Sequence, residues 1–533
     1  MRKFNLLEES WIIVLDKQGK MRELSLLDVF RNSNDIVGLA NELPTLDIAI
    51  LRLLLAIMHS ALAREVRDYA EGIRIWRDLW ENGIPFDKVS EYLEKWWDRF
   101  YLFDDNYPFY QIAALDKGTE YGVPKLLGIL SESGNKVRQF PQRSGKGKYI
   151  ITHAEAVRWL LYVNAFDDTS AKPTKTKDGS KRPSVGAGWL GRLGLVYAVG
   201  NTLAETLLLN FVILDEDGNP WGTGQPAWEL DIPRDGERTP IPFPKSQVGL
   251  LTLQSRRLRL KCENDLVLGY TLLGGDFFPK ENAFCEQMTL WRKDKNDYVP
   301  KRHLASKQLW RDFQSLTSYD SDSCHRPGIV RWLNEIEAND VYIGDQIKLA
   351  TAFIGFGDKD FFVDDTGSDS VSFNAKLLTS MGAVWVPRIC EVLISTEDAV
   401  KAVGTLAADL SEATGDKLDK NDKPSAAMSG KREATKAEAY FRLDEPFRTW
   451  LRDIDPKIDK INVKLDQWRE ISYKILSELG RELVGQMGTK AFIGAFSSSN
   501  SERKPMNSSI AYNKFMSKIY KILKKGEVED DEQ

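Results

Sequence analysis

Histidine and cysteine are scarce in this chain: 533 residues contain four of each. Cys262, Cys285, Cys324 and Cys390 are widely spaced and form no Cys-x-x-Cys pair. That pattern excludes a zinc ribbon and a disulfide framework, and it suits a reducing, cytoplasmic setting. The histidines, His59, His153, His303 and His325, make no His-Glu-x-x-His motif, and neither a phosphate-loop signature nor a Gly-x-Ser-x-Gly elbow is present. A long uninterrupted apolar run is missing as well. The richest one, 46–62, is broken by Asp47, Arg52 and His59, so no membrane span is expected. Near the N-terminus, Glu8 and Glu9 interrupt the chain before a signal-peptide core could form, which argues against export. Basic residues do not outnumber acidic ones: 73 against 78 gives a net charge of −5. A uniformly basic coat for nucleic acid is thereby excluded, although local patches are not.

What is present describes a folded protein. With 42% hydrophobic and 28% charged residues the composition is globular, and the length suggests three or four domains or two large ones. Trp11 to Asp16, a turn through Gly19 and a second extended piece at 22–25 predict an opening hairpin. Leu46, Ile50, Leu53, Leu54, Ile57, Met58 and Ala61 recur at three and four residues, the buried face of a helix. Between about 100 and 380 the pattern is mixed, with helices expected near 153–166 and 197–214 and extended runs near 250–261 and 384–386. Beyond Pro387 four helical segments follow, near 388–412, 432–454, 460–487 and 505–525. The expected fold is therefore α+β: a large irregular mixed α/β domain over 1–385, then a four-helix bundle over 386–525. An acidic tail, 526–533, with five acids and no base, reads as disordered.

Charge counted by segment is more informative than the sum. Residues 136–182 hold eleven bases against four acids, and residues 431–525 hold twenty against twelve. Either can be a solvated surface or a phosphate-binding one. Gly186-Ala187-Gly188-Trp189-Leu190-Gly191 is a literal Gly-x-Gly-x-x-Gly, yet the residues before it, Lys177 to Val185, are polar and broken by Pro183 rather than a buried strand. A dinucleotide-dependent enzyme remains as a remote alternative, and a flexible glycine loop beside Lys181, Arg182 and Arg192 is the other reading. The adjacent Cys324 and His325 carry little weight as a nucleophile and base, because the fold normally brings such partners together. Asp364 to Asp369 does not match a calcium-loop spacing and reads as an acidic turn. Just before it, Gly355 to Phe362 joins glycines, Lys359 and three phenylalanines in a turn whose aromatics could wedge between bases. No catalytic residue, cofactor or metal ligand is assigned.

Several dispersed segments together resemble one family. Asn5-Leu6-Leu7 followed by Trp11-Ile12-Ile13-Val14, then Phe100-Tyr101-Leu102-Phe103, Tyr107-Pro108-Phe109-Tyr110-Gln111, Gln225-Pro226-Ala227-Trp228, Gln254-Ser255-Arg256-Arg257 and Ala437-Glu438-Ala439-Tyr440-Phe441-Arg442 occur in the order and spacing of the large subunit, CasA, of type I-E Cascade. The resemblance spans nearly the whole chain and implies binding rather than catalysis. It implies a subunit of a crRNA-guided ribonucleoprotein that senses the protospacer-adjacent motif of foreign double-stranded DNA, mostly in the minor groove. The subunit would then promote strand separation and R-loop formation and help recruit the Cas helicase–nuclease in antiviral defence. Base pairing with the guide would read the target sequence itself.

Carried over by position, Asn135, Lys136, Arg138, Phe140 and Gln142 fall on the loop that reaches guide RNA and the complex backbone. Gly186, Ala187, Gly188 and Trp189 fall on the minor-groove glycine loop, with Ala187 where the family has glycine. Lys359, Asp360 and Phe361 fall on the DNA wedge, without the family's Asn-Gln tip, and Lys280 is the candidate for the DNA-contacting lysine. Lys181 and Arg182 complete a basic patch. The implied partners are crRNA, duplex DNA, the backbone and small Cascade subunits and the helicase–nuclease. A structural scaffold subunit with no direct DNA role is the alternative.

Overall fold

The computed structural model describes residues 3–127, 143, 145–169, 186–230, 240–318, 324–357, 360, 363–416, 425–495 and 506–524. The chain forms two compact units, one built from residues 1–309, 318–343 and 347–370, the other from 310–317, 344–346 and 371–533.

The first unit is assembled around the helix Pro44–Leu62, started by Pro44 in its first turn. It is apolar on nearly every side and buried on nearly every side, from Leu46 to Met58, as such a helix must be. By length and composition it could cross a membrane, but 83% of its most apolar window lies inside the protein. Its buried Arg52 and His59 are accommodated rather than exposed. Arg52 makes a bidentate bond to Glu286 at 2.8 and 3.1 Å, and His59 sits against the Phe211 ring at 4.5 Å.

The expected hairpin is present: Ile12–Asp16 pairs antiparallel with Met21–Leu24, and Ile36–Leu39 adds a third strand on the other side. A second sheet orders Thr119–Gly122, Leu266–Gly274 and Arg256–Glu263, with Leu258 opposite Leu272. A third orders Val363–Asn374, Gln346–Phe356 and Tyr197–Val199. The helix His153–Phe166 begins as expected, with a capping box between Thr152 and Glu155.

Four local expectations are corrected. The stretch 197–214 splits into the strand Tyr197–Val199 and the helix Leu203–Leu209, because Gly200 and Asn201 break it and Thr202 caps the new helix. The run at 250–261 is the end of the helix Gln247–Leu251 followed by the strand Arg256–Glu263. Residues 384–386 are helical, since the helix Gly382–Ala413 starts before Pro387 and tolerates it near its N-terminus. Asp364 to Asp369 lies within the strand Val363–Asn374 rather than in a turn, with the adjacent Asp364 and Asp365 both exposed to water.

The second unit contains the helices Gly382–Ala413, Ala426–Arg452, Ile461–Gly485 and Ser508–Leu523, with the short helix Thr489–Ile493. Its core is aromatic: Phe447, Trp450 and Trp468 contact one another, and the buried Trp468 indole donates to Thr396 Oγ1 at 2.9 Å. Gly480 lets the Phe515 ring approach the helix backbone; a Cβ there would lie 2.9 Å from Phe515 Cδ1.

Candidate nucleic-acid interface

The glycine loop is held by buried charge. Arg256 is 1% exposed. Its guanidinium donates to Asp167 Oδ2 at 2.6 Å, to the Asp168 carbonyl at 3.0 Å and to the Gly186 carbonyl at 2.8 Å. One side chain thus satisfies carbonyls at the C-terminus of the helix His153–Phe166 and pins the start of the loop to it. The Gly188 amide donates to the Asp167 carbonyl at 2.8 Å. A Cβ at 188 would collide with the Ala165 carbonyl and lie 2.9 Å from Phe166 N, so only glycine fits this crossing. Trp189 turns inward: its amide donates to Ser255 Oγ, its indole donates to Glu286 Oε2 at 2.7 Å, and its ring packs on Phe278 at 4.2 Å. Ala187 and Trp189 are both buried. The Gln254-Ser255-Arg256-Arg257 segment therefore scaffolds the loop, with Arg257 bonded to Asp276 at 2.6 Å.

The loop does not open a helix. Leu190–Arg192 is a single tight turn leading towards the strand Tyr197–Val199. A dinucleotide site needs a helix N-terminus at this point to face the pyrophosphate, so that alternative loses its anion site.

Around this loop the fold gathers residues distant in sequence. Gly186 has φ +68°, and a side chain there would strike the Arg192 guanidinium, whose Nε donates to the Ala187 carbonyl at 2.9 Å. Gly191 faces the ring of Phe356, the last residue of the strand Gln346–Phe356; a Cβ would lie 2.9 Å from that ring. Arg302 stands over the same ring at 5.6 Å and holds Asp360 with two bonds, 3.0 and 3.1 Å. Asp360, in the hairpin turn, has φ +58°, and its carbonyl accepts from both the amide and the hydroxyl of Thr169, at 2.9 and 3.0 Å. Burial pushes the Arg192 guanidinium down to about 10, neighbouring Arg256 and Arg302 push it the same way, and Asp360 and Glu281 oppose them. Glu281 follows Lys280, which is exposed two residues beyond the Phe278 that packs on Trp189.

The structure thus brings together the glycine loop, the Lys280 loop and Asp360. Arg192 entered the reading only as a flank of the glycine loop; Arg302 and Thr169 did not enter it, and no local motif marks either of them. Asn135, Lys136, Arg138, Phe140, Gln142, Lys181, Arg182, Lys359 and Phe361 lie outside the described residues. Among the described residues no group of three or more His, Cys, Asp or Glu side chains is placed to hold a metal ion. His59 is buried, and desolvation pushes its imidazole down to about 3, a neutral core residue. His325 stacks on Phe284 at 3.8 Å and faces Glu216.

Comparison with known proteins shows what the chain as a whole is similar to. The family model described as CRISPR-associated protein Cse1 matches residues 5–479. The CRISPR-associated protein CasA/Cse1 of Thermus thermophilus is 30% identical over 328 residues, 59% of this chain, and the aligned stretch spans 60% of that relative. The crystal structure of Thermobifida fusca Cse1 is similar with a TM-score of 0.83 at 28% identity, covering 98% of both chains. A chain of a CRISPR RNA-guided surveillance complex shares the fold with a TM-score of 0.70 at 17% identity, covering 98% of this chain and 100% of that one.

Proposed function

Because the chain belongs to the CRISPR-associated Cse1 family, we propose that it is the large subunit of a type I-E Cascade. In this role it senses the motif flanking a DNA target, assists strand separation and R-loop formation, and helps bring in the helicase–nuclease. It acts in the cytoplasm alongside crRNA and the backbone and small subunits, by binding rather than by catalysis. One observation supports the reading: the glycine loop, Asp360 and Glu281, which adjoins the exposed Lys280 in sequence, come together around Arg192 and Arg302. Phosphate contacts of that kind set register on a duplex, while a short flank is read beside them.

The arrangement divides the labour. Gly188 and Trp189 build the loop from inside, so groove contact falls to its exposed neighbours, with Lys280 first among them. The test is duplex binding by the guide-loaded complex, reconstituted with and without this chain, at fixed salt and on targets with randomised flanks. The expected result is a flank-dependent affinity conferred by the chain and weakened by Lys280→Ala with assembly intact. The burial of Ala187 and Trp189 in the chain's own core favours a second reading, a scaffold without a DNA role. On that reading affinity is indifferent to the flank and to Lys280.

A further inference from the structure

Arg302 and Asp360 form a bidentate pair at 3.0 and 3.1 Å, with side chains 37% and 31% exposed. The fork of a guanidinium binds a carboxylate and a phosphate in the same geometry. A pair this open to water is weakly held, so a stronger anion can replace the carboxylate. The surroundings suit such an exchange. The main chain at Asp360 is fixed independently of its carboxylate, by the two bonds from Thr169 to its carbonyl. Arg302 keeps its place over the Phe356 ring when the carboxylate leaves. Arg192 also acts on this spot, while Arg256 is paired with Asp167 and Glu281 supplies one opposing charge, so departure of the Asp360 carboxylate leaves a net positive charge shared by Arg302 and Arg192.

We propose that Asp360 is a built-in stand-in for a DNA phosphate: it occupies the Arg302 guanidinium in the free protein and is displaced by rotation of its side chain when a backbone phosphate arrives. The consequence is selectivity. Arg302 is screened from casual polyanions and released only where the glycine loop and Lys280 hold a duplex close enough to compete. The inference rests on the DNA-sensing reading but concerns total phosphate affinity rather than flank preference.

The test uses the full chain and a labelled duplex of random sequence, titrated between about 50 and 200 mM salt. Asp360→Asn keeps the main-chain bonds and tolerates the positive φ, so only the competing charge is lost. On a random duplex, a casual polyanion, wild-type Arg302 stays paired; in Asp360→Asn it is open. Affinity at low salt should therefore rise roughly three- to tenfold, and the slope of log K against log salt should steepen by about 0.9, one phosphate contact more than the wild type makes on this duplex. Arg302→Gln should weaken binding, and the Asp360→Asn gain should vanish in that background. Asp364→Asn, the same charge change at an exposed position on the same hairpin, should leave the slope alone. The proposal is overturned if Asp360→Asn keeps the wild-type slope, if its gain survives without Arg302, or if Asp364→Asn reproduces it. A wild-type complex indifferent to its flank would sink the sensing reading instead, and the salt slopes would still decide the exchange.

Discussion

A methyl group at position 188 would lie 2.9 Å from Phe166 N and closer still to the Ala165 carbonyl, with backbone on both sides of the contact. Gly188→Ala is therefore expected to destabilise the fold by about 1–3 kcal/mol, as overpacking does. A larger substitution such as Gly188→Asp would test folding before it tested DNA binding. Trp189→Phe should destabilise by a similar amount. It removes the indole bond to Glu286, a buried carboxylate that otherwise receives two bonds from Arg52 and one from the Met288 amide. Lys280→Ala should do the reverse, leaving stability within about 0.5 kcal/mol while reducing duplex affinity. Urea unfolding of the three variants beside duplex titration checks the separation. A stable Gly188→Ala, or a Lys280→Ala that unfolds early, would reverse the assigned roles. The glycine loop was legible in the sequence because its residues are contiguous. Arg302 and Thr169 were not, since only the hairpin turn at Asp360 draws them together, and the Gln254 to Arg257 segment gave no sign that its arginines face inward.

The helix Pro44–Leu62 carries two titrating groups whose effects on stability oppose each other. Burial pushes the Asp47 carboxyl up to about 6 against an unfolded value of 3.8, despite two bonds from Asn41 that pull it down. Burial pushes His59 down to about 3 from 6.5. Between pH 6.5 and 3 the unfolded chain binds a proton at His59 that the folded one does not, so stability is lost as pH falls. Between pH 3.8 and 6 the folded chain keeps a proton at Asp47 that the unfolded one has released, so stability is lost as pH rises. Each group contributes roughly 1.4 kcal/mol per pH unit in its window, and from about pH 4 to 6 the two cancel. Asp47→Asn keeps the acceptor oxygen and removes one slope. Its urea midpoint should fall as pH drops from 6 to 4, while the wild type changes less; equal midpoint curves would mean that folded His59 takes up its proton. The helix itself was plain in the apolar spacing, as were the hairpin at 12–24 and the terminal helices. What misled was punctuation. Pro387 lies inside a helix that was expected to start after it, and Gly200 breaks one that the apolar pattern would have continued.

Across the whole chain the charge that matters for DNA is the charge left over after internal pairing. Arg52, Arg256 and Arg257 are buried in ion pairs and unavailable to a ligand. In the helical unit some of the bases are paired on its own surface: Lys431 with Asp416, Lys436 with Glu433, Arg442 with Glu438 and Glu482, Arg448 with Asp444, and Arg469 with Asp466. Such exposed pairs add about 0–1 kcal/mol each to stability, but they blunt the attraction of those helices for phosphate. In the other unit Arg302 is held by Asp360, Lys280 is exposed beside the Phe278 that packs on Trp189, and the 136–182 segment supplies Lys181 and Arg182 close to the glycine loop in sequence. Each phosphate neutralised contributes about 0.9 to the slope of log K against log salt. Lys181→Glu with Arg182→Glu should therefore reduce that slope by about two. Lys457→Glu with Lys474→Glu, the same charge change at exposed positions of the helical unit, should leave it unaltered. Fluorescence anisotropy of both double variants on one duplex makes the comparison. Equal losses would mean that the basic helices share the footprint and that attraction is spread over the chain rather than gathered at the glycine loop.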